Sequence, residues 1–406
     1  MHNHASLAAI VGALLTVTAC GGEYQYASEP TGDEPLFSWQ PLEVQPAAFV
    51  PRECADADQH FTGDLTLFGQ RSTADLGEVS VLEGSLVLTG AADLKGLRCL
   101  RRVEGDVVVQ GTDTLLDMTA FSSLREVGGS LIVRENTALS SLRGLEQLRR
   151  LGDSLIIERN ESLLTITELD ALGGYLEAVR IRDNDSLHAV HLFASSSASL
   201  HVLEVAFNPA LERLWGFDGS PHGTRVSGSI TVEHNDALER ASLPVLSFGA
   251  ATESIRVQHN AALLLLELVT GKQTWLPGDL LLEDNPSLQR LAGFSSIRQV
   301  GGHLHLRGNT SLTTLGAFET LLRIDGDLLV EQSHGLTDVN LGALRVIYGN
   351  LVVRSNHGLT SLQGLTSLAA LRGDLAIERN PDLDLCDVEV LQRQVQRAAP
   401  KTLCGR

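Results

Sequence analysis

Aromatic residues make up only 4% of this 406-residue chain, with four Tyr and three Trp. A platform that stacks sugar rings needs aromatic faces, and beyond Trp215 and Trp275 the sequence offers few; both of these read as edge or core packing. Positive charge is also in short supply. A net charge of -19 and a pI near 5.1 argue against binding nucleic acid and against a basic surface that reads anionic lipid. Catalytic signatures are missing: there is no HExxH, GxSxG, P-loop or GxGxxG. No enzyme class is marked and no cofactor is expected. The apolar run Leu7 to Val17 is too short to span a bilayer as a mature helix.

What the sequence does contain is a repeat. The stretch from Gly129 to Leu151 reads Gly, Ser, Leu131, Ile, Val133, two residues, Asn136, two residues, Leu139, and then Leu at every third position through Leu142, Leu145, Leu148 and Leu151. Aligned on the asparagine, the series runs Asn136, Asn160, Asn184, Asn208, Asn235, Asn260, Asn285, Asn309, Asn356 and Asn380, mostly 24 residues apart. Ser333 fills its gap, and Thr112, Ala91 and Gln70 extend it upstream, which gives about fourteen coils. Leu recurs three residues after the asparagine, and Gly recurs seven before it.

Each column has a physical reading. Leu131 to Val133 is a short strand whose first and third side chains share a face. Equivalent strands of successive coils stack in parallel. The recurrent Gly fits a corner needing positive φ or close backbone approach, and the Asp, Ser or Asn after it is a turn former. An amide where the chain leaves the strand can satisfy backbone groups inside the bend, and stacked amides form a ladder. One coil cannot bury its own apolar face, so the stack folds together and needs capped ends. The fold expected is all-β, a right-handed parallel β-helix-like solenoid.

Residues 1–19 are read as a signal peptide. It ends in Val17, Thr18, Ala19, Cys20, which resembles the bacterial lipobox, whose cysteine is lipidated; an ordinary secretory signal is the alternative. Residues 20–53 form a tether rich in Pro and Gly. Residues 54–385 are the solenoid and 386–406 its cap, with Val388, Val390, Leu391 and Val395 at helical spacing. Beyond Cys20, four cysteines remain, which suits two disulfides in an oxidising compartment. The two pairs lie at opposite ends of the stack, so Cys54 is assigned to Cys99 and Cys386 to Cys404. Zinc is the alternative, although close Cys pairs are missing. Between Asn208 and Asn235 the period stretches to 27, and Gly216 to Gly223 reads as a bulging loop.

The pattern Gly, Asp or Ser, Leu, x, Ile, x, x, Asn, x, x, Leu, followed by GLxxLxxL as in Gly364 to Leu371, resembles the receptor L-domain repeat over roughly residues 60 to 385. It is similar in turn to bacterial lipoproteins with tandem L-domain-like, leucine-rich repeats. The resemblance implies the solenoid named above. It implies no growth-factor binding, because cysteine-rich modules, a transmembrane helix and a kinase are all missing.

Candidate binding residues lie on the outward strand positions. Two before the asparagine the column reads Arg134, Glu158, Arg182, Ala206, Glu233, Gln258, Glu283, Arg307, Glu331, Arg354, Glu378, a ladder of cross-strand ion pairs. Four before it, Val87, Val108, Ile132 and Ile156 make an apolar strip that runs into Arg180, Glu204 and Arg256. Such a strip marks a partner site if exposed, while β-branched residues also pack well on any sheet. His234, His259 and Asp284 precede the asparagine in successive coils, a corner that could hold a divalent ion although its coordination set is incomplete. The expectation is a lipid-anchored, non-enzymatic scaffold of the cell envelope that binds a protein or polysaccharide, against a purely structural spacer or a carbohydrate-active enzyme.

Overall fold

The strand rule is obeyed residue by residue: in Leu131–Arg134, Leu131 and Val133 are fully buried, Ile132 is half-buried and Arg134 is exposed. Leu131 pairs in parallel with Val107 on one side and Leu155 on the other, so every column of the repeat becomes a row across the sheet. The computed structural model describes Cys54 and the chain from Asp58 to Val395, except residues 55–57, 70–72, 74–75, 77–78, 91–93, 218–223, 247–253 and 269–273. The expected leader, Cys20, the Pro-rich segment, most of the 216–223 loop and Cys404 lie outside these residues.

Parallel in-register pairing runs through a main sheet of fifteen strands, fourteen of them on one continuous path from Leu65–Phe68 to Leu375–Glu378. A second set of short strands precedes each main strand, as two five-stranded sheets. Between those sheets, Gly174–Arg182, Ala198–Ala206 and Arg225–Glu233 each run on as single nine-residue strands. A six-stranded third sheet, from Thr165–Ile166 to Arg290–Ala292, follows the Leu column. The result is a parallel β-solenoid with about 12 turns of about 24 residues, somewhat fewer than the fourteen coils counted from the sequence. Fourteen stacked rungs bound only thirteen intervals, and after the last rung the chain turns into a helix instead of closing another coil.

The spacing of three in the Leu run has a backbone cause. Leu139 N–H donates to Asn136 O, Leu145 to Leu142 and Leu148 to Leu145, at 3.3, 3.1 and 3.0 Å. These i to i+3 bonds are 3-10 geometry, which places every third side chain on one side. All four Leu side chains at 139, 142, 145 and 148 point into one continuous apolar core and are fully buried.

Both ends of the stack are closed by special contacts. Cys54 and Cys99 form a disulfide across a Cα separation of 5.1 Å, and the Arg101 guanidinium donates to Cys54 O. At the other end the helix Leu385–Val395 buries Val388 and Leu391 against the last coils. Asp387 accepts from Ser361 Oγ at 2.7 Å and Leu362 N–H at 2.9 Å, while Gln394 Nε2 donates to Leu365, Thr366 and Leu368 carbonyls. These side chains satisfy backbone groups that a further coil would otherwise have met. Cys386 is disulfide-bonded, with its partner outside the described residues.

Candidate interaction face

The asparagine column is an interior scaffold. Every ladder Asn from Asn136 to Asn356 has no exposed surface. Asn160 is representative: its Nδ2 donates to Val133 O at 3.0 Å, to Glu158 O at 3.2 Å and to Asn184 Oδ1 at 3.2 Å. The same Asn184 Oδ1 accepts the Asn160 backbone N–H at 3.1 Å. Each amide therefore pairs backbone groups in its own turn, the rung behind and the rung ahead, as buried polar groups require. The run starts at Thr112, whose N–H and hydroxyl both donate to Asn136 Oδ1, and continues to Asn309. Ser333 interrupts it, turning its hydroxyl to its own strand at Glu331 O, before Asn356 and Asn380 resume.

One feature of this corner was not read from the sequence. The residue before each Asn is in the left-handed region, at φ of 52 to 57° for Glu135, Arg159, Asp183, Phe207, His234, His259, Asp284, Ser355 and Arg379. Glycine takes the position at Gly308, so the signal was diluted by residue types that normally avoid it. Of the two requirements expected of the recurrent Gly seven residues earlier, positive φ holds at Gly63, at 99°, and close approach from Gly84 onward. A Cβ on Gly129 or Gly302 would overlap the carboxylate of Asp106 or Asp279 in the rung behind.

That crowding marks a second ladder. Asp106 accepts from Ser130 N–H at 2.7 Å, Asp279 from His303 N–H at 2.8 Å and Asn350 from Asp374 N–H at 2.8 Å. The residues taken as turn formers thus bond rung to rung. Behind them, the outer face of the main sheet carries the two outward columns.

On that face Val87, Val108, Ile132 and Ile156 are direct neighbours in register, followed by Arg180 and Glu204. All six are half-buried by the rungs on either side, and Arg256 is exposed. Phe68, 61% exposed, stands on the same face of the first rung in the other outward column, in register with Thr89, and was missed because that column was read only from Arg134 onward.

The charged column pairs less regularly than its alternating signs implied. Arg354 meets Glu331 at 3.5 Å and Glu378 at 3.2 Å, as expected of a ladder. Arg180 and Arg182 both reach Glu204, at 3.3 Å each, because Ala206 in the expected column is buried and uncharged. Arg134 bonds Gln110, at 2.9 and 2.7 Å. Such half-exposed pairs are worth about 0.2 to 1 kcal/mol each and set register more than stability. Across both columns six Arg (134, 180, 182, 256, 307, 354) balance six Glu (158, 204, 233, 283, 331, 378). These two columns are together neutral in a chain of net charge -19.

The corner histidines do not converge. Phe207, His234 and His259 stack ring on ring at 4.7 Å spacing, with interplanar angles of 10 and 20°, and His259 Nδ1 lies 3.8 Å from Asp284 Oδ2. Stacked imidazoles aim their nitrogens along parallel lines, away from one shared point. Trp215 is half-buried and stacks on His191 at 4.9 Å, consistent with packing. A crevice between the C-terminal helix and the last coils, lined by Leu365, Val390 and Gln394 among others, has about 10 Å³ of free volume, room for one water. No helix among the described residues is long and apolar enough to cross a membrane.

No protein-family model and no curated protein matches the chain. Among solved structures it is similar to a leucine-rich cell surface protein from Faecalibacterium prausnitzii A2-165, at 10% identity and a TM-score of 0.16, over 78% of this chain and 79% of that one. At that score the likeness carries no argument, and the fold rests on the chain's own register and hydrogen bonding.

Proposed function

We propose that the chain is a non-enzymatic, lipid-anchored scaffold of the cell envelope, of the kind found in lipoproteins with L-domain-like repeats. On this reading it docks an extended protein or polysaccharide along the outer face of its main sheet. The observation that carries it is the neutrality of the two outward columns within a strongly acidic chain, together with the apolar strip at one end. Elsewhere acidic surface repels the acidic polymers and proteins of an envelope; here that repulsion cancels. Rungs about 4.8 Å apart offer an extended ligand a regular row of weak contacts. Glu204 and Glu331 on this face are engaged by Arg180 and Arg354, which favours binding over catalysis for them.

A spacer with no single partner is the second reading, favoured by the half-burial of Val87 to Ile156 between their own rungs. The test is a pull-down from envelope extracts with the purified chain and with a triple variant, Val108→Thr, Ile132→Thr and Ile156→Thr. A partner captured by the wild type and lost by the triple variant, with unchanged circular dichroism, supports docking. Capture that the triple variant leaves intact overturns the site, and no capture at all favours the spacer.

A further inference from the structure

Two histidines and a carboxylate come together as a set of three at one place among the described residues, and it is not the corner singled out by sequence. His303 follows Gly302 at the start of the strand Leu304–Arg307, and His305 is the outward residue of that strand. Asp327 follows Gly326 one coil later, in the same register as His303. The three offer ligand atoms that all lie within 4.8 Å of one another. We propose that His303, His305 and Asp327 form a site for a zinc-type divalent ion on the outer face of the main sheet.

The geometry favours an ion over chance proximity in two ways. Zinc bonds of about 2.0 to 2.1 Å at tetrahedral angles put neighbouring donor atoms about 3.3 Å apart. His303 Nδ1 and Asp327 Oδ2 are already 3.3 Å apart. Ring orientation is the second. Where histidines pack for stacking in this molecule, the rings lie nearly parallel, at 20° for His234 with His259 and 21° for His334 with His357. His303 and His305 are instead tilted by 51° with centroids 5.2 Å apart. Ligands of one ion turn their nitrogen edges toward it, and a tilt serves that.

Glu283, with Oε1 3.8 Å from His305 Nδ1 on the preceding rung, lies beside this cluster but outside the three-residue donor set. Two imidazoles and one carboxylate, with a fourth position left to water, select zinc and its transition-metal neighbours over magnesium or calcium, which take oxygen. One contact opposes binding. His303 Nδ1 accepts the Asp327 backbone N–H at 2.9 Å, so a metal on that nitrogen displaces one hydrogen bond. The His303 and Asp327 side chains are 43% and 30% exposed, so water can reach the released N–H. The site is independent of the docking reading above.

The experiment is isothermal titration of the purified chain with zinc chloride, and with magnesium and calcium chloride in parallel. The same chain is loaded with cobalt(II) to read the visible bands of a tetrahedral complex. One zinc per chain is expected, weakened at least tenfold by His303→Ala and by His305→Ala, less by Glu283→Gln, and unchanged by His234→Ala with His259→Ala. Should His303→Ala unfold the chain, the outward His305→Gln gives the same reading. Absence of zinc heat and cobalt bands overturns the site, as does binding that survives His305→Ala or is lost in the His234/His259 variant.

Discussion

Replacing Asn184 by Ala removes an interior amide within the longest unbroken part of the ladder. Asn184 Nδ2 donates to Ile157 O at 3.1 Å, Arg182 O at 2.9 Å and Asn208 Oδ1 at 3.1 Å. Its Oδ1 accepts from Asn160 N–H and Nδ2. Several of these partners keep another bond. Arg182 O still accepts Arg159 N–H, Asn208 Oδ1 still accepts Asn184 N–H, and Asn160 Nδ2 still donates to Val133 O. Left without a partner is the Asn160 N–H in the buried interior, while the Ile157 carbonyl loses one bond but keeps its place in the parallel ladder with the Ile181 strand. A buried unsatisfied group costs about 1 to 3 kcal/mol, so the substitution should destabilise by about that much. In a stack that holds together by nearest-neighbour contacts, much of that loss is local. Guanidinium unfolding followed by circular dichroism should show the lower midpoint, and hydrogen exchange should quicken in the peptide spanning 155 to 163. Asn184→Asp should do no better, because it turns an oxygen toward the acceptors that Nδ2 now serves. An alanine variant within about 0.5 kcal/mol of wild type, with unchanged exchange, would refute the reasoning, since that is the range of an ordinary surface substitution.

The converse change, Ser333→Asn, restores the amide where the ladder breaks and should stabilise by about 1 kcal/mol, seen as a raised guanidinium midpoint. Opening the Cys54–Cys99 disulfide, which closes a sequence separation of 45 residues, should cost up to about 4 kcal/mol on chain-entropy grounds, measured by melts of Cys99→Ser with Cys54→Ser. Glu168 is mostly buried, and that burial pushes its carboxyl above the ordinary carboxylate value against hydrogen bonds from Thr167 N–H and Ser141 Oγ that oppose the shift. The folded state then holds its proton where the unfolded chain has released it. Stability falls as pH rises from the ordinary value through the raised one and is level above it. In Glu168→Gln this step should vanish from the stability-against-pH curve, and a curve that keeps its shape would locate the step elsewhere.

Most of the fold was legible because its register depends on side chains that only one residue type supplies. Asparagine alone carries two donors and an acceptor of the right reach for the interior corner. Leu139 and its equivalents fill a fixed volume. The residues that escaped notice sit where the backbone, not the side chain, sets the requirement. The left-handed position before each Asn accepts Glu135, Arg159 or His234 alike, because the amide ladder beside it holds the backbone in place. The glycine column was legible as close approach, while the carboxylate it makes room for looked like a turn residue. His303 and Asp327 stand in one column of the alignment, directly after Gly302 and Gly326, so their meeting could have been found there. The corner histidines drew attention first because they directly precede the asparagine. The unequal pairing of the Arg and Glu column depends on side-chain reach across rungs, which a column of letters does not contain.

Whether the outer face of the main sheet meets another molecule is tested most directly by site-specific photo-crosslinking in cells that carry the full chain. A benzophenone side chain is placed at Arg256 or at Phe68 on that face, and at Leu116, 64% exposed outside the main sheet. Discrete adducts at 256 and 68, with none at 116, are the predicted result. No adduct at any position, or adducts that form equally at Leu116, would contradict a recognition role for this face.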